Sequence, residues 1–309
     1  MTFYEHIKEF AGKPVFEWDP EKGVADPDAS VFKIGVRYRR NASEVWIDKF
    51  AAFLEHPASA QATGLVVGLW TDTFSRTDNE AEQVVEALVA ARERLRSVTA
   101  IFFGDIISEE WEVSWIRQTD VSPLLAAYPA LEHFAVRGGN GLSLGTPRLP
   151  SLRSLVVESG GLDAQVVHEV STADLPALEH LELWLGTDEY GATVAVEDLE
   201  PILSGRLFPN LKYLGLRDSD IADEIAAALA TAPILERIET LDLSMGTLGD
   251  EGMEALLASP HLNRLKKLDI HFHYCSEEML ERLDALETLV DAGDPQEEDD
   301  DYRYVAVGE

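Results

Sequence analysis

Residues 176–183 read Pro-Ala-Leu-Glu-His-Leu-Glu-Leu, and residues 209–216 read Pro-Asn-Leu-Lys-Tyr-Leu-Gly-Leu. Both stretches follow the pattern Leu-x-x-Leu-x-Leu, in which the last two leucines are two positions apart. Side chains two apart on a strand point to the same face, so each phrase predicts a short strand that buries one face. The phrase recurs with its first apolar residue at Leu131, Leu152, Leu178, Leu211, Ile238 and Leu265.

The spacing of these phrases indicates a repeat architecture. Successive first positions are separated by 21, 26, 33, 27 and 27 residues. Apart from the interval of 33, these match the ~20–29 residues of a leucine-rich repeat. One such strand cannot bury its face alone, but parallel neighbours share a continuous core. Residues 221–229 and 248–257 carry apolar side chains at helical intervals between the phrases. The sequence therefore predicts an α/β fold, a right-handed leucine-rich-repeat solenoid or horseshoe with an inner parallel β-sheet and outer helices.

Residues 238–257 resemble a repeat of the ribonuclease-inhibitor-like class, in which strand and helix alternate around a horseshoe. The resemblance extends over roughly residues 95–285, and the chain is also similar to a bacterial family of leucine-rich-repeat proteins. One feature departs from the family pattern. The asparagine that usually satisfies the loop backbone after each strand is replaced, which predicts less regular turns. The residues found instead are Gly139, Gly186, Ser219, Gly246 and His273.

The pattern divides the chain into three regions. Residues 1–60 are expected to form an N-terminal cap, because terminal repeats must be atypical where one side meets water. Residues 61–290 form the solenoid, continuous with the cap in one domain. Residues 291–309 form an acidic C-terminal tail, whose first part repels itself and stays extended. Residues 302–307 have strand character, and two alternatives remain open: a disordered tail, or a short strand that docks on the body or on a partner.

Composition limits the partners. The chain has 309 residues, with 57 acidic against 25 basic side chains and a formal charge of −32. Such a field opposes nucleic-acid phosphates and anionic lipid, and it favours a basic protein partner, although an acidic surface can also serve solubility alone. With Cys275 as the single cysteine, neither an intramolecular disulfide nor a cysteine-cluster zinc site can form. Without a signal-like start or a long apolar run, we expect a cytoplasmic monomer that contacts no membrane.

Catalytic patterns are weak. Residues 141–145 match the Gly-x-Ser-x-Gly pattern of hydrolases, which requires a helix directly after Ser143. Pro147 and Pro150 follow instead and exclude that helix. The nearby glycines lack the strand, loop and helix of a nucleotide site. We therefore expect no enzymatic activity, no catalytic residues, no cofactor and no bound metal.

One stretch supports an alternative function. If the last strand continued through residues 271–275, then His271, His273 and Cys275 would alternate onto one face, a spacing that lets ligands converge on a metal. The chain would then be a metal-dependent enzyme or an accessory subunit of an enzyme complex. Against this, the strand is expected to end near His271, which favours a polar capping surface.

The leading hypothesis is a non-enzymatic protein–protein interaction module that uses its concave face. Repeat proteins bind through such extended surfaces, and alternation places the residues beside each buried pair there. The candidate partner-binding residues are Trp70, Phe102, His180, Glu182, Trp184, Tyr213, Arg217, Asp242, Ser244, Lys267, Asp269 and His271.

Two subsets of this surface suggest recognition. Trp184, Tyr213 and Arg217 fall in adjacent repeats and are residue types that dominate interface energies. The second subset is a column of carboxylates, which repel one another unless a basic group balances their charge. These carboxylates belong to Glu182, Asp242 and Asp269.

Overall fold

The computed structural model describes residues 3–19, 29–37, 45–71, 80–300 and 302–308. The chain forms two compact units. The first contains residues 1–155 and 173–175, and the second contains residues 156–172 and 176–309. The boundary falls within strand β7 (Ser154–Glu158). The sequence-based division into cap, solenoid and tail stays a prediction.

In the first unit, strands alternate with helices along the chain. The pair β1–β2 is an antiparallel hairpin, and Ala11 and Gly12 between them have the positive φ angles that a tight two-residue turn requires. From β2 onward each strand pairs in parallel with the next. The elements are β1 (Glu9–Phe10), β2 (Lys13–Glu17), β3 (Val31–Ile34), α1 (Trp46–Glu55), β4 (Gly64–Val67), α2 (Glu80–Ala90), β5 (Ala100–Phe103), α3 (Ser122–Ala127) and β6 (His133–Arg137).

The second unit repeats the same plan, with two strands of seven residues, β8 and β9, followed by three strands of three residues. Strands β8 to β12 pair in parallel in chain order, so the α/β prediction of parallel strands alternating with helices is confirmed. Among the described residues, no helix of either unit is long and apolar enough to cross a membrane. The elements are α4 (Ala164–Thr172), β8 (His180–Gly186), α5 (Val196–Leu203), β9 (Tyr213–Ser219), α6 (Ala222–Leu229), β10 (Thr240–Asp242), α7 (Asp250–Leu257), β11 (Lys267–Asp269), α8 (Glu277–Leu283) and β12 (Leu289–Asp291).

The leucines of the recurring phrase form the core of the second unit. Leu214, Leu241 and Leu268 are aligned in adjacent strands, and none of them exposes any surface. They lie on the face of the sheet opposite the residues that flank them in the sequence. Strand β12 was not predicted, because Glu287 and Ala292 stand where the phrase has its first and last apolar residues. Its middle residue, Val290, still pairs with Leu268.

The backbone at the ends of β9, β10 and β11 is regular despite the missing asparagines. Asp218, Met245 and Phe272 each have a positive φ, and the backbone N–H of each donates to the next repeat at 2.9 Å. The left-handed conformation of these residues and their hydrogen bonds to the next repeat together satisfy the backbone polar groups that asparagine would otherwise bind. The expectation of irregular turns is therefore wrong for these three repeats.

Helix α7 is held at its first turn by the repeat before it. One carboxylate oxygen of Asp223 accepts hydrogen bonds from the backbone N–H groups of Gly249 at 2.7 Å and Gly252 at 3.0 Å. Asp250 does the same for the next repeat, accepting from the backbone N–H of Ser276 at 2.8 Å. These bonds satisfy donors that a helix N-terminus leaves unpaired.

In the first unit, the N-terminal segment is anchored by a buried charge cluster. The carboxylate of Asp105 lies 2.6 Å from Lys33 Nζ and 3.2 Å from His6 Nδ1, and His6 Nε2 lies 3.4 Å from Glu110. Burial alone would lower the pKa of His6, but the contacts with Asp105 and Glu110 outweigh it and raise the pKa from 6.5 to about 9.

This cluster predicts a pH-dependent N-terminus. A raised folded-state pKa contributes stability that is fully present below about pH 6.5 and lost as the pH rises through about 9. Amide hydrogen-exchange protection of Ile7, whose N–H donates to Asp105, should therefore fall over that interval. His6→Gln should abolish the dependence, whereas equal protection of the wild-type chain at both ends of the interval would contradict the assignment.

Candidate interaction surface

Three columns of side chains cover the face of the second unit's sheet opposite the leucine core, here called the polar face. Strand register aligns the residues of the first two columns. In the third column, backbone hydrogen bonds to the carbonyls of Ser244 and His271 continue the alignment beyond the ends of β10 and β11. The first column is His180, Tyr213, Thr240 and Lys267; the second is Glu182, Gly215, Asp242 and Asp269; the third is Trp184, Arg217, Ser244 and His271.

Arg217 is the centre of the polar face. Its Nη1 lies 2.8 Å from Glu182 Oε1, and its Nε donates to Ser244 Oγ at 2.9 Å and lies 3.4 Å from Asp242 Oδ2. The guanidinium also packs 5.4 Å from the ring centroid of Trp184. A planar guanidinium can satisfy several acceptors at once, so one cation serves two carboxylates.

Glu182, one of the two carboxylates beside Arg217, is held in the charged form. Burial alone would raise the pKa of Glu182, but contacts with His180, Arg217 and Trp184 outweigh it and lower the pKa from 4.5 to about 2. Trp184 Nε1 donates to Glu182 at 2.7 Å. The oxygens of Asp242 also accept hydrogen bonds, including one from the backbone N–H of Ser244 at 3.0 Å.

Tyr213 lies over the backbone of Gly215 and links the two carboxylates. Its hydroxyl donates to Asp242 at 2.6 Å and is 3.3 Å from Glu182. Its ring stacks on the imidazole of His180 with centroids 3.9 Å apart. A Cβ at Gly215 would lie 3.0 Å from the tyrosine ring, so glycine leaves the room that this arrangement needs.

A second cation, Lys267, forms ion pairs with Asp269, in the carboxylate column, and with the neighbouring Asp291. Lys267 Nζ lies 2.7 Å from Asp269 and 3.1 Å from Asp291, and His271 Nδ1 lies 2.6 Å from Asp269. Burial opposes ionisation of Asp269, but His271 and Lys267 together hold its pKa well below the usual range. The expected column exists, but it is neutralised in part by the chain's own side chains.

Burial separates the candidate residues of the polar face into two groups. The buried group consists of Glu182, Trp184, Arg217, Asp242, Ser244 and Asp269. The carboxylates among them were expected to be exposed, and that expectation is wrong. Those that are half-buried reach solvent: His180, Tyr213, Lys267 and His271. Leu289, which is 66% exposed, and Asp291 extend the surface onto the unpredicted strand β12.

The two candidates in the first unit are buried in separate surroundings. Phe102 packs 5.9 Å from Phe10, on the N-terminal hairpin, and beneath the guanidinium of Arg137. Trp70 lies three residues past the end of β4 and packs 5.3 Å from Phe103. Because the strand ends at Val67, alternation no longer determines which way Trp70 points.

The structure does not bring His271, His273 and Cys275 together. Strand β11 ends at Asp269, and Phe272 adopts a left-handed conformation, so the alternation needed for a metal site is broken. Both ring nitrogens of His273 are engaged, Nδ1 by the backbone N–H of Cys275 at 3.0 Å and Nε2 by the carbonyl of Ala292 at 3.2 Å. Within the described residues no cluster of three or more metal-ligating side chains occurs.

Cys275 is expected to be chemically inert in the folded protein. Burial, with Asp250 and Asp223 nearby, raises the pKa of its thiol to about 12, and only a thiolate is an effective nucleophile. A thiol-reactive dye at about pH 8 should label the native chain far more slowly than the urea-unfolded chain. Labelling at the unfolded rate would show that the thiol is accessible.

Ser143 is placed as a structural residue. It forms a bridge with Asp120, and no helix follows it within residues 144–153. The strand-turn-helix geometry of a hydrolase nucleophile is therefore absent at this serine.

Comparison with known proteins identifies the repeat. The family model described as Leucine Rich repeat matches residues 209–230 and 238–257. A protein from Bacteroides fragilis with a solved crystal structure is 32% identical, with a TM-score of 0.80 over 88% of this chain and 76% of that one. The chain belongs to the bacterial leucine-rich-repeat family.

This leucine-rich-repeat protein also aligns weakly with the crystal structure of an internalin from Listeria monocytogenes. The two are 14% identical with a TM-score of 0.39, over 84% of this chain and 59% of the internalin, a likeness too low to bear on function. No curated protein sequence matches the chain. Leucine-rich-repeat domains are typical protein-interaction modules, and the α/β leucine-rich-repeat solenoid predicted from the sequence is confirmed.

Proposed function

We propose that this leucine-rich-repeat protein binds a protein partner on the polar face of its second unit and carries out no chemistry itself. The observation that carries the proposal is the half-buried row of His180, Tyr213, Thr240 and Lys267, one residue from each of four adjacent strands. The buried charge network beneath this row fixes its side chains before binding, which lowers the entropic cost of association.

The contact residues are those of the row together with His271, Leu289 and Asp291. The buried candidates, including Trp184 and Arg217, position this surface, so truncating them would report on folding. Trp70 and Phe102 stabilise the first unit in the same way. This division follows from burial, because a side chain without exposed surface has none to offer a partner.

We infer that the partner carries a basic patch. The chain has a formal charge of −32, and its field steers cations toward it while opposing nucleic acid and anionic membranes. Lys267 already forms ion pairs with Asp269 and Asp291. A basic partner would therefore be attracted by the negative field of the whole chain and not by these paired carboxylates. We further propose that the chain acts in the cytoplasm as a monomer.

The experiment begins with affinity capture from the source cells and continues with binding kinetics on the captured partner. Thr240→Arg places a bulky cation in the middle of the row and should weaken binding by at least about tenfold. Thr231→Arg makes the same change on an exposed residue after α6 and should change affinity by less than about threefold. The association rate should also fall as salt rises, because screening weakens steering.

Circular dichroism of both variants shows whether each stays folded. If Thr231→Arg abolished binding while Thr240→Arg left it intact, the partner would bind elsewhere and the polar face would not be the site. An association rate that does not respond to salt would argue against a basic patch.

A further inference from the structure

The C-terminal segment, residues 302–308, is docked along the ends of strands β9 and β10. The backbone N–H of Ala306 donates to the carbonyl of Met245 at 2.8 Å. The N–H of Val307 donates to a carboxylate oxygen of Asp218 at 2.9 Å. Asp218 is fully buried, and its other oxygen has no hydrogen-bond partner within the described residues. The backbone N–H groups of this short segment are therefore held by acceptors of the folded body.

Side chains of this segment alternate between buried and exposed. Val305 and Val307 are buried, whereas Tyr302 and Tyr304 are 67% and 59% exposed. The hydroxyl of Tyr274 accepts from the N–H of Tyr304 at 2.8 Å and donates to its carbonyl. Every second side chain from Arg303 to Val307 therefore meets the body, and residues 306–307 form a turn.

Arg303 enters a slot that is shaped for it. Its Nη1 lies 3.0 Å from Asp223 Oδ2 and donates to the carbonyl of Thr247 at 3.2 Å, and the guanidinium packs 5.6 Å from the ring centroid of Tyr274. A Cβ at Gly249 would lie 2.7 Å from the guanidinium carbon. Gly249 has an extended backbone conformation that any residue can adopt. Glycine is therefore needed here to leave space for the guanidinium and not to allow a special backbone conformation.

The slot opens into an acidic cavity of 580 Å³. Arg303 is the one cation among its described lining residues, and it faces several carboxylates. Burial, together with Asp188 and Glu224 nearby, raises the pKa of Asp220 at the rim. The negative charge of the cavity therefore exceeds what a single arginine neutralises. The carboxylates are those of Asp220, Asp223, Glu224, Glu251 and Glu298.

We propose that this surface, here called the tail groove and made of Asp218, Asp223, Met245, Gly249 and Tyr274, binds a short segment of a partner protein that adopts the path of residues 302–308. The segment carries an arginine followed by aliphatic side chains at the second and fourth positions after it. The chain's own tail, with Arg303, Val305 and Val307, occupies the groove in the absence of that partner. The tail groove is separate from the polar face, so this inference goes beyond the proposed function.

A synthetic peptide with the sequence of residues 302–309 and an N-terminal fluorophore tests the proposal by fluorescence anisotropy. The full-length variant Arg303→Glu/Val307→Asp, in which the tail should leave the groove, is expected to bind the peptide at least about tenfold more tightly than the wild-type chain, where the tethered tail competes. The same peptide with alanine in place of its arginine should bind that variant at least about tenfold more weakly.

Glycine substitutions provide a matched pair in the tail-released variant. Adding Gly249→Ala fills the slot and should reduce peptide affinity at least about tenfold. Adding Gly293→Ala should change it by less than about twofold, because a Cβ there meets only ordinary contacts. Adding Thr240→Arg should also leave peptide binding unchanged, which separates this test from that of the polar face.

Several results would overturn the proposal. They are equal peptide affinity for the wild-type and tail-released chains, equal affinity for the arginine and alanine peptides, or no loss with Gly249→Ala. Dimerisation of the wild-type chain that Gly249→Ala removes would show that the occupant is the tail of a second copy and not a partner protein. If circular dichroism shows the double variant to be unfolded, Val307→Asp alone replaces it in every arm.

Discussion

Replacing Arg217 by methionine is expected to lower the free energy of unfolding of the second unit by about 3–5 kcal/mol. The change leaves Glu182 and Asp242 buried without the cation that lies between them. Arg217→Lys should cost less, because it keeps the charge but cannot reach both carboxylates and Ser244 together. Urea denaturation followed by tryptophan fluorescence measures both variants.

The pH dependence of this loss distinguishes charge from packing. Because the folded-state pKa of Glu182 is depressed, its stabilising contribution is present above about pH 4.5 and is lost as the pH falls toward about 2. The difference between the wild-type chain and Arg217→Met should therefore shrink between about pH 7 and about pH 3. A difference that stays constant over this range would mean that Arg217 stabilises the unit by packing alone.

Leu241→Ala is expected to destabilise the second unit by about 2–5 kcal/mol, because the side chain is completely buried and its removal leaves a cavity. Leu289→Ala is the matched control. It makes the same change on a side chain that is 66% exposed and should cost less than about 0.5 kcal/mol. Similar losses for the two variants, or a loss below about 1 kcal/mol for Leu241→Ala, would show that the recurring leucines do not form the core.

Strands that carry the complete Leu-x-x-Leu-x-Leu phrase are predictable from the sequence, because the phrase is a local pattern. The phrases beginning at Leu178 and Leu211 place strands two residues later, at His180 and Tyr213, as the structure shows. Strand β12 was missed because Glu287 and Ala292 remove two of the three apolar positions by which the phrase is recognised. The structure reveals this strand through its register, because Val290 pairs with Leu268 of β11.

The candidate surface was predicted in composition but not in exposure. Alternation correctly places Glu182, Asp242 and Arg217 on one face of the sheet. It cannot reveal that Arg217 reaches across to the neighbouring strands or that Tyr213 covers Gly215. The half-exposed row that we propose as the contact surface is visible only once those side chains have been placed.

The sequence by itself determined the repeat, the alternation of strand and helix, and the core leucines, because each of these follows from side-chain spacing within a few residues. Only the tertiary structure decided which polar residues are buried and where His6 and Arg303 lie. Those outcomes rest on contacts between residues far apart in the chain. Asp105 meets His6, and Asp223 meets Arg303, 80 positions away. No periodicity encodes such pairs, so folding must bring them together before their chemistry is apparent.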